Sequence, residues 1–232
     1  MTRRGRRRLA LAALILAVVA GWTLLRPTTP TGAPAPTAAA ASPTGYVAEA
    51  TVRLEPVFAG VAADNAGILV AVDREDVLAL ARSDEVTDEA LAIAADAGWT
   101  SVDAEHLAKR SVTVDSDRSL TVWVAAIDED VARRCAQAAA EATLERRGER
   151  TLAAMRDEGQ RLLREHQDLR ALQRSTRRLL DEAEAPDESL TAAAADLDRR
   201  VAAQGAVLEQ LGDTEVDPGT LLEVTVEPAT VS

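Results

Sequence analysis

The chain has 232 residues, 28% of them charged and only 2% aromatic, with 38 acidic side chains against 26 basic ones. The resulting net charge of −12 excludes a general nucleic-acid binder, which needs a basic face for phosphate contacts. Cys135 is the single cysteine and excludes a disulfide framework and a cysteine-built zinc site; the two histidines, His106 and His166, leave little material for metal or triad chemistry.

Charge is placed unevenly along the chain. Arg3, Arg4, Arg6, Arg7 and Arg8 precede the apolar run LALAALILAVVAGWTLL at 9–25, and no acid occurs before Glu49. At 1.5 Å per residue the run spans roughly 25 Å, enough for a short membrane helix. Its basic flank orients the N-terminus to the cytoplasm, and Trp22 falls where an interfacial aromatic sits. A cleavable signal peptide has a similar start, with Val18-Val19-Ala20 as the cleavage triplet. That triplet lies inside the run, which continues to Leu25, so the sequence favours an uncleaved signal anchor. Residues 26–45 (RPTTPTGAPAPTAAAASPTG) have no large apolar side chain and read as an extended spacer reaching up to ~60 Å.

A small base follows at 46–128. Tyr46 to Pro56 alternates as a strand, with Tyr46, Ala48, Ala50 and Val52 on one side and Glu49, Thr51 and Arg53 on the other. Residues 57–72 fit no single template, with a turn signal at 64–67 ahead of the apolar Ile68 to Val72. Asp73 and Ser83 are N-caps for two helices, the second carrying Val86, Ala90, Ile93, Ala94 and Ala97 and ending at Gly98. A short helix is predicted at 102–109, then strands at 112–115 and 120–126. The second of these is apolar on both faces, as a central strand is.

From Glu129 to about Glu184 there is no proline and strong helix formers dominate, predicting a helix of ~80 Å. Ala185-Pro186-Asp187 breaks it, and a second helix runs from Glu188 to about Leu211. Leu190, Ala194, Leu197, Val201, Gln204, Leu208 and Leu211 alternate four-three spacing. A rougher seam passes through Leu152, Met155, Leu162, His166, Leu169, Thr176 and Leu180. An antiparallel coiled-coil hairpin at 129–212 is expected. Residues 213–232 then supply Leu221 to Glu227, an alternating strand returning to the base. The expected fold is α+β: one membrane helix, a spacer, a mixed sheet-and-helix base, and a long helical hairpin inserted before the last strand.

No catalytic, cofactor-binding or metal residue is assigned. His106 reads as an exposed or capping residue, and His166 as a polar residue setting seam register. Asp128-Glu129-Asp130 sits at a helix start, where acids cap; Cys135 reads as a small core residue. Trp99 and Trp123 are expected in the core of the base. Nucleophile-elbow, Walker, dinucleotide and zinc-protease motifs are absent from the sequence, so it does not read as an enzyme.

The order of elements resembles the polysaccharide co-polymerase family, the chain-length determinant (Wzz-type) proteins. The resemblance rests on an ordered series of strings: Tyr46–Val52, Val77–Val86, the Ala-rich helix ending at Gly98, Leu107–Val114, Leu120–Val124 running into Asp128–Ala132, and Leu222–Ala229. It covers about residues 46–144 and 220–229. It implies a non-enzymatic, single-pass, extracytoplasmic homo-oligomer that scaffolds or regulates cell-surface polysaccharide biosynthesis. A membrane polymerase and a lipid-linked glycan are its implied partners; the resemblance carries over no site residues, and Arg170, Arg174, Arg177 and Arg178 read first as a solvated helix face and second as candidate glycan contacts. Family members usually carry a second membrane helix after the closing strand, which this sequence does not show. The competing readings are a periplasmic adaptor of a secretion or efflux system and a structural coiled-coil envelope protein.

Overall fold

The computed structural model describes residues 45–63, 67–115, 118–183 and 187–229. The chain divides into Met1–Ser42 and Pro43–Ser232, and every described residue falls in the second unit. The predicted membrane helix at 9–25 and the spacer up to residue 44 lie outside the described residues. Among the described residues no helix is long and apolar enough to cross a membrane.

The fold is α+β, with strands β1 (Gly45–Arg53), β2 (Val57–Val61), β3 (Ile68–Ala71), β4 (Ser111–Val114), β5 (Ser119–Ala126) and β6 (Thr220–Ala229). The helices are α1 (Arg74–Ala81), α2 (Asp84–Asp96), α3 (Ala104–Ala108), α4 (Glu129–Glu182) and α5 (Glu188–Asp213). Four strands form one antiparallel sheet in the order β4-β5-β1-β6, so the doubly apolar β5 is interior as its composition predicts. The ambiguous stretch 57–72 resolves into a separate two-stranded hairpin of β2 and β3, with a register shift between Phe58 and Gly60.

Alternation decides which face of the sheet is buried. Ala48, Ala50 and Val52 of β1 pair with Val124, Val122 and Leu120 of β5, and all six are essentially inaccessible. Onto this face packs the start of α4, where Ala132, Cys135, Ala136, Ala138, Ala139 and Ala142 are buried. Small side chains on nearly every side let the helix form a middle layer, with the sheet against one flank and α2 against another. Trp123 pairs with Glu49 and Ser111 on the opposite face and is only half-buried, which corrects its expected core role. The period of two puts Val122 and Val124 inward and therefore turns Trp123 outward.

Local capping follows the predicted pattern. Asp73 accepts from the backbone N–H groups of Glu75 and Asp76, Ser83 from Val86, and Asp128 from Val131. Gly98 takes the left-handed conformation (φ 72°), and the N–H of Trp99 reaches back to the carbonyl of Ala94 at 2.7 Å. That turn seats Trp99 against the core and leaves Ala97, expected on the apolar stripe, exposed. Arg110 gathers the carbonyls of Ala81, Ser83 and Leu107, joining the ends of α1 and α3. Arg82 donates to the carbonyl of Val112 at 3.0 Å, occupying an acceptor of the short edge strand β4.

One buried cation joins the base to the hairpin. Arg147, on α4 just beyond its alanine-rich start, is 5% exposed. Its guanidinium donates to the carbonyl of Glu55, where the chain leaves β1, at 2.7 Å, and to that of Pro218, where it approaches β6. Gly219 beside it has φ 131°, and a Cβ there would collide with the carbonyl oxygen of Arg53.

Replacing Arg147 with alanine strands two half-buried carbonyls and is expected to lower stability by about 2–4 kcal/mol. Arg147→Lys, which keeps the charge but not the two-pronged reach, should recover less than half of that in denaturant midpoints. Gly219→Ala is expected to destabilise by more than about 1 kcal/mol, because the obstacle is backbone; an unchanged thermal midpoint would contradict the close approach.

Candidate functional site

Beyond Arg147 the hairpin leaves the base. Partners across it run antiparallel: Glu165 lies against Gln204, His166 against Gly205, and Gln173 against Asp198. On α5 the predicted seam holds at Ala194, Leu197, Val201, Gln204 and Leu211, with Leu190 half-buried; at 207–208 it is Val207 that is buried, while the predicted Leu208 is only half-buried. On α4 the seam holds from Met155 to Leu180, but Leu152 is 41% exposed while Thr151 is buried in its place. Thr151 donates its hydroxyl to the carbonyl of Arg147 at 2.9 Å, so its polar group is satisfied within the helix. Burial here follows the register set by Arg147 rather than the more apolar neighbour.

The seam carries a polar layer. His166 is 8% exposed and Gln204 1% exposed, on facing helices. Gln204 Nε2 donates to Glu165 Oε2 at 3.2 Å, whereas Gln204 Oε1 and His166 Nδ1 are buried without a hydrogen-bond partner. Leaving such an atom unpaired costs about 1–3 kcal/mol, against an apolar seam residue that costs nothing of the kind. Beside the layer lies a cleft of about 590 Å³, walled by Glu165, Asp168, Asp196, Arg199, Arg200 and Gln204. Leu169 and Leu172 of α4, Ala203 of α5 and Ala63 from the loop after β2 complete it, so both hairpin and base contribute.

The electrostatics of the layer are those of a neutral imidazole. Burial, and then the nearby Arg170 guanidinium, hold His166 below its ordinary value. Glu165 is tied to Arg161, which also grips Glu158. Asp196 bonds Arg199 at 2.9 Å. Farther out, Arg177 straddles both oxygens of Asp198 at 3.0 Å, and Gln173 with Arg177 holds that carboxyl below its usual range.

The other residues weighed from sequence are spread over the fold. His106 Nδ1 lies 2.9 Å from Asp103, the N-cap of α3, whose carboxyl is lowered chiefly by the backbone N–H of His106. Asp128 caps α4 while Glu129 and Asp130 pair with Arg133 and Arg134, which accounts for all three acids. Burial pushes the Cys135 thiol up, against nucleophilic character. Of the four candidate arginines, Arg177 is the cross-hairpin partner of Asp198, while Arg170, Arg174 and Arg178 are exposed. Among the described residues no group of three or more His, Cys, Asp or Glu is arranged to hold a metal ion. Arg199 and Arg200 of the cleft were not singled out from sequence; only their adjacency to the polar seam position 204 marks them. No family model matches the chain, and no curated protein matches it.

Because the folded state resists protonation of His166, the unfolded chain binds that proton more tightly, and stability rises with pH. The contribution is complete above about pH 6.5 and is lost as the pH falls below it. Asp103, Glu158, Asp187 and Asp198 are held low and add a separate loss near or below about pH 4. His166→Leu should abolish the fall in thermal midpoint between about pH 6.5 and 5 and leave the acid-side loss intact. A wild-type midpoint flat across that interval would contradict the buried neutral imidazole.

Proposed function

We propose that this protein is a membrane-anchored, extracytoplasmic scaffold that regulates cell-surface polysaccharide biosynthesis, by chain-length control or export, without catalysis of its own. The observation that carries the reading is the path of the chain. It leaves the sheet at β5, runs out through α4 and back through α5, and closes the same sheet by pairing β6 with β1. A helical projection of ~50 Å beyond Arg147, rooted in the middle layer of the base, holds a surface at a fixed distance from the sheet, which is scaffold work. The resemblance to the chain-length determinant proteins, in the same order of strings, supports the same reading.

In this reading the apolar segment 9–25 anchors the chain once, the N-terminus is cytoplasmic, and the spacer holds the base outside the membrane. Copies assemble through the base, and the hairpin is presented to a membrane polymerase and its lipid-linked glycan. A four-stranded sheet completed by the returning strand is more than a purely structural coiled coil requires, which favours a regulator over that alternative.

The test is the size distribution of surface polysaccharide in a strain lacking the gene, with and without complementation. The expected result is a changed chain-length profile restored by the intact gene. An unchanged profile, with polymer present and no redundant relative expressed, would overturn the proposal.

A further inference from the structure

The cleft beside the polar layer has properties that seam register alone does not require. Its wall mixes three carboxylates, Glu165, Asp168 and Asp196, with two guanidiniums, Arg199 and Arg200, so its field favours neither a strong anion nor a strong cation. Leu169, Leu172, Ala203 and Ala63 provide apolar surface between these polar groups. At about 590 Å³ it falls within the ~300–1,000 Å³ usual for small-ligand sites. Gln204 also lines the cleft; the residue is 1% exposed, its Nε2 donates to Glu165, and its Oε1 is buried without a donor. A buried acceptor left unpaired in a cleft wall is a demand for an incoming hydrogen-bond donor.

We infer that this cleft binds a short stretch of a hydroxyl-rich glycan. Each sugar hydroxyl both donates and accepts, which suits a wall of alternating carboxylates and guanidiniums. One hydroxyl supplies the donor for Gln204 Oε1 as the amide swings toward the cleft, others accept from Arg199 and Arg200, and the C–H faces lie against Leu169 and Leu172. The choice of a surface glycan over other polyols rests on the function proposed above. Because Ala63 lies in the loop between β2 and β3 while the other wall residues lie on α4 and α5, an occupied cleft is felt by hairpin and base together.

The test uses the full chain in a lipid nanodisc and three hexasaccharide probes: a glucose oligomer, an N-acetylglucosamine oligomer and an acidic uronic-acid oligomer. Binding is followed by calorimetry and by the side-chain amide signals of Gln204 in nitrogen-15 spectra. At least one probe should bind saturably and shift those signals. Arg200→Ala and Gln204→Leu should each weaken that binding at least tenfold, while Arg156→Ala, exposed on α4 and outside the cleft, should leave it unchanged. Leucine at 204 gives up the hydrogen bond to Glu165 but also removes a buried unpaired oxygen, so its thermal midpoint should stay close to that of the wild type, separating lost binding from lost folding. Absence of saturable binding by all three probes, or binding that survives both substitutions, would overturn the inference. A strain whose chain-length profile changes on deletion while the protein binds no probe refutes the cleft alone. Binding with an unchanged profile refutes the proposed function alone.

Discussion

The structure hangs on a single buried guanidinium. Arg147 bonds the two backbone segments that flank the hairpin's root, one leaving β1 at Glu55 and one approaching β6 at Pro218. A buried cation has to be met by acceptors, and two carbonyls in fixed geometry meet it only if all three segments keep their places. The same contact sets the rotation of α4, and with it which residues of the next turns face α5. Thr151 is buried and Leu152 exposed for that reason, although hydrophobicity alone would reverse them.

Around this tie the base and the hairpin use different physics. The root of α4 is packed by alanines, which give up side-chain volume so that sheet and helices can approach a common middle layer. The outer hairpin has a narrower seam, and much of its surface is covered by ion pairs such as Arg161 with Glu158 and Glu165. Exposed pairs of this kind contribute little to stability and keep a long projection solvated. The polar layer at His166 and Gln204 leaves two buried polar atoms of that seam unpaired, and it lies beside the cleft that hairpin and base wall together.

The overall architecture was legible because its signals are local and periodic. N-cap acids and serines, the Gly98 stop, the proline break at 186 and the four-three spacing from Leu190 to Leu211 each act within a turn or two of their own position. The alternation of β1 likewise marked it as a strand, and the doubly apolar pattern of β5 placed that strand in the sheet's interior, whereas the interior place of β1 came only from its pairing with β6. The second hairpin, β2 with β3, was not legible, since its strands are short and one contains Gly60 at a register shift. The cleft was less legible still: its walls come from residues more than a hundred positions apart, and nothing in the strings around Ala63, Asp168 and Arg200 relates them.

By itself the sequence determined the helices, their ends, the long excursion and its return, because backbone propensity, capping and apolar period are properties of neighbouring residues. Tertiary structure alone decided which tryptophan faces the core, which residue fills the first turn of the seam, and which arginines share a cleft. Trp123 shows why: its inward or outward direction depends on the pairing of β5 with β1, a partnership between segments some seventy residues apart. Arg147 shows it again, as an arginine among many in a helix until two distant carbonyls converge on it.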